Sequence, residues 1–377
     1  MKKKTVYVDL FYLNTALTGI KTYMSEFCEA VEENTSDEVS YIFSHNFRQQ
    51  MASNFYRGNV AYWKKLFYHI YYFFWKQCLL PLKVKKSGAD VLICFDFIAP
   101  AWPLKAKKLV VIHDAFFWQM PQNYNKFWRA YFIPMIHSGL RGKCTVVTTS
   151  FTAKKALEIY SGIHKNIEVI YQCPKLLPEH TQTEGNTLEK FGIQPKRYFL
   201  HVGSFDKRKM IQTLVDAFGV IEKKYPGKYS LVLVGERGLS LALDDYDNVV
   251  RKIKDENLTA QVKLTGFLPD ITVKELYQNA FAYVFPSSNE GFGIPVIEAM
   301  NNHIPVIISN QDALMEIAAE AALIHEVGNA ESLATMMERL IEDPTLIEEL
   351  IEKGNRRCAH FNRSSFFNRF EKLIKQP

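Results

Sequence analysis

The chain has 377 residues, 47% of them hydrophobic, and 46 Lys and Arg against 40 Asp and Glu leave a net charge of +6. That length exceeds one typical core and that apolar share excludes a disordered chain, while so mild a charge does not by itself demand nucleic acid. The six cysteines, Cys28, Cys78, Cys94, Cys144, Cys173 and Cys358, include no Cys-x-x-Cys pair, so neither a zinc site nor a disulfide framework is signalled and a reducing, cytoplasmic compartment fits.

No run reaches the ~20 apolar residues of a membrane-spanning helix. The basic start at Met1 to Lys4 leads into an apolar run interrupted by Asp9, without a small-residue cleavage site, which reads as a first strand and not a signal peptide. Thr5 to Leu10 is that strand. A loop with Gly19 follows, then an amphipathic helix to about Glu33, which makes a βα unit with glycine at its turn.

From Val39 to Ala89 there is no Asp or Glu, while Arg48, Arg57, Lys64, Lys65, Lys76, Lys83, Lys85 and Lys86 occur. Inside this stretch lies an aromatic run from Tyr62 to Trp75. The segment Tyr62 to Lys86 fits a helix lying in an anionic membrane interface, where Trp and Tyr anchor and lysines meet headgroups. A buried core helix with one basic edge is the alternative. Stacking on single-stranded nucleic acid lacks any accompanying motif.

Val91 to Phe95 and Leu109 to Ile112 read as further parallel strands, the second delivering His113 and Asp114 at its carboxyl end, where ligands of open α/β sheets collect. Asp114 suits a cap of the next helix or a partner of the imidazole. Thr145 to Thr148 is a strand, Ser150 caps a helix from Thr152 to Tyr160, and Ile167 to Tyr171 closes the first half. Residues 176–196, rich in Pro and poor in periodicity, read as a linker between a first domain over 1–175 and a second over 197–361.

The second domain opens on the strand Tyr198 to Gly203, followed by Ser204-Phe205-Asp206-Lys207-Arg208-Lys209 and a helix from Ile211 to Lys224. Arg grips a diphosphate bidentately and Lys supplies a point charge, as leaving-group stabilisation requires. Leu231 to Gly235 and Val262 to Gly266 continue the strand alternation. Asp245-Tyr246-Asp247 matches a D-x-D metal motif in letters only, sits in a charged linker, and is assigned no metal.

A strand from Phe281 to Phe285 breaks at Pro286 and passes through a polar loop to Gly291, Gly293 and Pro295 at a helix start. Amides at a helix start, approached closely through glycines, bind anions such as phosphate. Glu290 and Glu298 bracket that site. Two carboxylates beside a diphosphate make sense as acceptors of hydrogen bonds from the hydroxyls at the two ends of a nucleotide sugar. Ile304 to Ser309 is the next strand, and amphipathic helices follow over Ala330 to Glu342, Pro344 to Asn355 and about Ser364 to Lys375.

The segment Ser287 to Met300, with Glu290-Gly291-Phe292-Gly293-Ile294-Pro295 and Glu298-Ala299-Met300, resembles the E-x7-E region of retaining GT-B glycosyltransferases of family 4. Val202-Gly203 through Lys209 resembles the family's VGxxxxRKN segment, and Thr18-Gly19-Ile20 its first cleft-facing glycine loop, with Lys21 where many relatives carry a second Gly. The resemblance implies an α/β chain of two Rossmann-like, doubly wound domains facing across a cleft, with a C-terminal helix over about 362–377 crossing back to the first, acceptor-binding domain.

By the same resemblance Glu290 contacts the transferred sugar, Glu298 the ribose, and His113 the donor from the opposite wall. Lys209 and Arg208 stabilise the departing diphosphate, with Lys209 weighted above Arg208 because Ser204 stands where some relatives carry Arg. The backbone around Gly203, Ser204, Gly291, Phe292, Gly293 and Ile294 completes the donor site, and Phe267 and Leu268 wall the base. The implied partners are a nucleotide-diphosphate sugar, with GDP-mannose favoured over UDP-sugars, and a glycan or lipid-linked acceptor in cell-surface polysaccharide synthesis. No cofactor or metal is implied, and location would be cytoplasmic, peripheral on the membrane. Two rival readings stand beside it: a glycoside hydrolase using Glu290 and Glu298 as acid and base, and a nucleotide-sugar-binding assembly protein without turnover. Neither half carries the G-x-G-x-x-G and ribose acid of a nicotinamide enzyme.

Overall fold

Strands such as Tyr198–Val202 and Ser230–Val234 are apolar on both sides of the pleat, the pattern of a parallel sheet covered by helices on both faces. The computed structural model describes residues 3–16, 18–34, 37–53, 61–175, 187–238 and 243–376 and holds two sheets of six parallel strands. The chain divides into one unit made of Met1–Cys173 with Asn362–Pro377 and a second made of Pro174–Phe361.

The first unit contains β1 (Lys4–Asp9), β2 (Val39–Phe43), β3 (Val91–Cys94), β4 (Lys107–Val111), β5 (Cys144–Thr148) and β6 (Ile167–Val169), in the order β2-β1-β3-β4-β5-β6. Strand β2 lies in the acid-free stretch, where the sequence suggested no strand; it pairs with β1 along its length. Val6, Val8 and Ile93 face one apolar layer with α1 (Thr18–Glu33), and Tyr7, Leu92 and Cys94 face the other, so successive residues of a strand serve opposite cores. Gly19, expected in a loop, falls in the first turn of α1.

The C-terminal helix (Arg363–Lys375) completes this unit. Its Phe366 and Phe370 meet Tyr23 and Phe27 of α1 with ring centroids 4.9 and 5.0 Å apart, and Arg363 pairs with Glu26 at 2.7 Å and with Glu33.

The aromatic run forms α2 (Tyr62–Phe74), which passes through a π-helical turn at Trp75–Leu79 into α3 (Leu80–Ser87). Only the face with Tyr68 and Tyr72 is buried; Trp63, Phe67 and Ile70 are exposed, so the buried-helix alternative does not hold. Lys76, grouped with the basic edge in the sequence, is fully buried. Its Nζ lies 2.6 Å from Asp9 Oδ2 and 2.5 Å from Asp96 Oδ1 and donates to Ile98 O at 3.0 Å, while Tyr72 and Trp75 donate to the same two carboxylates. Helix α4 (Lys126–Gly139) begins with Asn125 accepting from Phe127 N and Trp128 N.

The second unit contains β7 (Tyr198–Val202), β8 (Ser230–Val234), β9 (Val262–Gly266), β10 (Ala282–Phe285), β11 (Val306–Ser309) and β12 (Leu323–His325), in the order β12-β11-β10-β7-β8-β9. Helix α5 (Ile211–Lys224) buries Leu214, Val215, Phe218 and Ile221 against it. The supposed charged linker around Asp245 is helix α6 (Tyr246–Asp255), with Val249 and Ile253 inside and charges outside; Asp244 and Asp247 pair with Arg237, and Asp245 accepts from Gln212 and Asn248. Of the expected linker, residues 176–186 lie outside the described part, and Thr187–Phe191 is a short helix of this unit whose Thr187 donates to Glu275.

Candidate active site

The second sheet reverses its strand order between β7 and β10, with β8 and β9 on one side and β11 and β12 on the other. Ligands of open α/β sheets bind at such a reversal, beyond the carboxyl ends of the strands. The segments leaving these two strands are residues 203–210 and 286–293, which hold most of the expected site.

After β7 the chain makes a tight turn at Lys207–Lys209, and Met210, at φ 53°, switches it into α5. After β10, Gly293 takes φ 111° as the N-cap of α7 (Ile294–Asn301), and a Cβ there would lie 2.7 Å from Leu314 Cδ2. Only glycine fits both that conformation and that space. Pro295 stands in the first turn of α7, where a missing N–H costs nothing.

Hydrogen bonds lace the two loops together across some eighty positions of sequence. Arg208 O accepts from Ser288 N at 2.7 Å and from the hydroxyls of Ser287 and Ser288 at 3.0 and 3.1 Å. In return Arg208 Nη1 donates to Asn289 O at 3.0 Å. At the centre, Lys209 Nζ and Arg208 Nη1 each lie 2.7 Å from one atom, Glu290 Oε1, to which Ser287 Oγ also donates at 2.7 Å. The weighting of Lys209 over Arg208 has no counterpart in these distances.

Charge at this point is held against burial. Burial by itself would raise the Glu290 carboxyl, but the Arg208 guanidinium and the Lys209 ammonium outweigh it and hold the acid at about 2. For Lys209 the balance goes the other way: burial lowers its pKa, and Glu290 only partly opposes that. The ammonium also sits 4.5 Å from the centroid of the Phe285 ring. Two cations therefore share one carboxylate oxygen; Asp206 Oδ2 stands 3.9 Å from Arg208, and burial still outweighs both acids at the lysine. An incoming diphosphate, with several anionic oxygens, suits that deficit.

The other expected residues fall around this contact. Ser204 Oγ donates to Asp206 Oδ2 at 2.7 Å, and Gly203 leaves room beside Lys209, since a Cβ there would lie 3.7 Å from Lys209 Cε and 3.3 Å from His201 Nε2. Gly291, Phe292 and Ile294 lead into α7, with Phe292 and Ile294 buried. Glu298, on α7, is half-buried and accepts from Tyr277 OH at 3.4 Å. Phe267 is exposed and Leu268 buried in the loop after β9, at the same carboxyl edge of the sheet.

His113 and Gly19 belong to the first unit. There His113 is buried at the end of β4, its Nε2 donating to Phe95 O at 2.8 Å, and burial drives its pKa down to about 4. It is a neutral imidazole at neutral pH. Asp114 caps the following turn by accepting from Phe116 N at 3.1 Å.

Two residues of the lysine and glutamate contact escaped the sequence reading. Ser287, fully buried after Pro286, orients Glu290. His201, on β7, donates from Nδ1 to Val284 O at 2.9 Å and leaves a buried Nε2 without a hydrogen-bond partner, beside Gly203. Its signal was available: one polar residue inside an apolar strand that ends at the glycine turn.

Residues 185–357 match the family model described as Glycosyl transferases group 1. Over 260 residues the chain is 23% identical to O-antigen chain mannosyltransferase B of Escherichia coli, covering 68% of this chain and 67% of that one. It is 27% identical over 264 residues to O-antigen chain mannosyltransferase RfbU of Salmonella typhimurium strain LT2, covering 70% and 68%. Among solved structures, the sucrose-phosphate synthase of Thermosynechococcus elongatus superposes with a TM-score of 0.74 at 19% identity, over 99% of each chain, so the fold is that of GT-B proteins.

Proposed function

We propose that the chain, whose residues 185–357 match the glycosyl transferases group 1 model, moves a hexosyl group from a nucleotide-diphosphate sugar to a glycan or lipid-linked acceptor, with retention of anomeric configuration. The observation that carries the reading is the single oxygen of Glu290 held at 2.7 Å by both Lys209 and Arg208, at the strand reversal of the second sheet.

In this reading the donor diphosphate takes over the two cations. Each charge-assisted contact is worth ~1.5–3 kcal/mol, and the contacts strengthen as negative charge grows on the leaving phosphate. Glu290, released from its cations, accepts from hydroxyls of the transferred sugar, while Glu298 takes the ribose and Phe267 with Leu268 the base. The backbone around Gly203, Gly291 and Gly293 allows the phosphates to approach. Lys209 and Arg208 supply the positive charge that a metal would otherwise bring, so turnover is expected to survive chelation by EDTA.

The mannosyltransferase relatives favour a mannosyl donor and a role in surface-polysaccharide assembly. The hydrolase rival gives no role to the Arg208 and Lys209 pair that holds Glu290. Incubation with a panel of GDP- and UDP-sugars and oligosaccharide acceptors tests the reading. Acceptor-dependent release of nucleoside diphosphate and an axial product linkage from an axial donor support it. Glycan cleavage without nucleotide, binding without turnover, or an inverted linkage would each refute the corresponding part.

A further inference from the structure

Two helices of the first unit, α2 and α4, expose a joined apolar surface. Along α2, Trp63, Phe67 and Ile70 are 66%, 68% and 60% exposed, and Phe74 continues the same helical stripe at spacings of four, three and four. On α4, Phe127 is 89% exposed and Tyr131 stands one turn later. The Tyr131 ring lies 6.1 Å from that of Phe73, which joins the exposed sides of the two helices. Each such aromatic offers on the order of 150–250 Å², so the patch exceeds what a soluble monomer ordinarily leaves bare.

The exposed charges on α2 and α3 carry one sign. Lys64 and Lys65 are exposed on the first turn of α2, and Lys83, Lys85 and Lys86 are exposed on α3, which continues from α2 through the π turn. Neither 39–89 nor 115–157, the stretches that hold these helices, contains an Asp or Glu.

We propose that this face docks on an anionic lipid bilayer, with Trp63, Phe67, Ile70 and Phe127 entering the headgroup boundary and the lysines of α2 and α3 meeting lipid phosphates. Charge decides among occupants. A two-fold contact between copies sets the same patch against itself, lysine near lysine. Single-stranded nucleic acid would stack on the rings but gain nothing from Leu66 and Ile70. A bilayer rewards the aliphatic side chains, the interfacial aromatics and the cations together. No described helix is long and apolar enough to cross a membrane, which fits a helix lying in the surface plane. The surface rests on exposure and charge alone and stands whether or not the transferase reading does.

The full chain, mixed with vesicles of phosphatidylcholine containing about 30% phosphatidylglycerol, is expected to float with them in a density gradient, and to float far less with pure phosphatidylcholine or in high salt. Phe67→Ser with Ile70→Ser, and separately Lys64→Glu with Lys65→Glu, should each weaken vesicle binding roughly tenfold or more. Should the serine variant fail to fold, Trp63→Phe serves: quenching of tryptophan fluorescence by brominated lipid should fall in that variant. Wild-type protein that stays at the bottom of the gradient, variants that float as well as wild type, or quenching unchanged by Trp63→Phe would overturn the proposal. So would a lipid-free dimer that the serine variant dissociates.

Discussion

The two sheets each reverse strand order once, and the two reversals hold opposite kinds of lysine. Between β1 and β3 of the first unit, Lys76 is sealed between Asp9 and Asp96; burial acts against its charge, but the two carboxylates outweigh burial and raise its pKa. Between β7 and β10 of the second, Lys209 shares one oxygen of Glu290 with Arg208, and burial wins, lowering its pKa. One reversal is closed by a buried cluster in which two carboxylates and the Ile98 carbonyl hold the lysine. In the other, Glu290 and the more distant Asp206 face Arg208 and Lys209 without offsetting the burial of the lysine. Topology marks where a site can be; local charge balance separates a plugged reversal from one awaiting an anion.

The contrast is broken most severely at Lys76. Lys76→Met leaves two buried carboxylates facing each other, and about 3–5 kcal/mol of stability should be lost, measured by urea denaturation. Glu290→Gln probes the second reversal through pH. Because Arg208 and Lys209 overcome burial and hold this acid at about 2, its ionised form stabilises the fold fully above its ordinary 4.5, and that contribution disappears as pH falls through about 2. It amounts to about 3 kcal/mol at most. Unfolding midpoints recorded from neutral pH downward should therefore fall less steeply in the Gln variant across that window.

Lys209→Ala and Arg208→Ala should each slow transfer by roughly ten- to a hundredfold while costing less than about 1 kcal/mol of stability, since each leaves Glu290 with a partner. Thermal-shift measurements with nucleoside diphosphate give the same separation, with stabilisation of wild type and little of either variant. If the stability loss matched that of Lys76→Met, the distinction between the two reversals would fail. The smallest effect is expected at His201. His201→Phe preserves a ring between Tyr283 and Phe285 but removes the lone pair near Lys209, and transfer should fall less than tenfold, or about 1 kcal/mol. Burial holds the His201 imidazole down at about 4, so its neutral form stabilises the fold above 6.5 and that part is lost as pH drops through about 4. The Phe variant should not show that slope.

Most of the second sheet was legible because β7 to β10 are short runs ending at glycine or proline, and the helix Ile211–Lys224 has clear periodicity. Strand β12, three residues long, offers too little pattern to read. Helix α6 carries a helical spacing in Tyr246, Val249, Val250 and Ile253, but its Asp245-Tyr246-Asp247 start was weighed as a metal motif and the stretch read as a charged linker. At the site, Glu290, Arg208 and Lys209 stood out through motif and charge, whereas Ser287 and His201 act through hydrogen bonds that leave no compositional trace. Lys76 was misread for a related reason. Its partners Asp9 and Asp96 lie 67 and 20 positions away, outside its acid-free stretch, and only the folded sheet brings them together.

The placement of the C-terminal helix bears on how the polypeptide matures during synthesis. Residues 174–361 form one uninterrupted unit, whereas the first unit borrows Phe366, Phe367 and Phe370 from the far end of the chain. A nascent chain emerging in order can finish its second half while its first half still lacks a wall. Translation must pass Phe370 before residues 1–173 gain their last layer of aromatic packing.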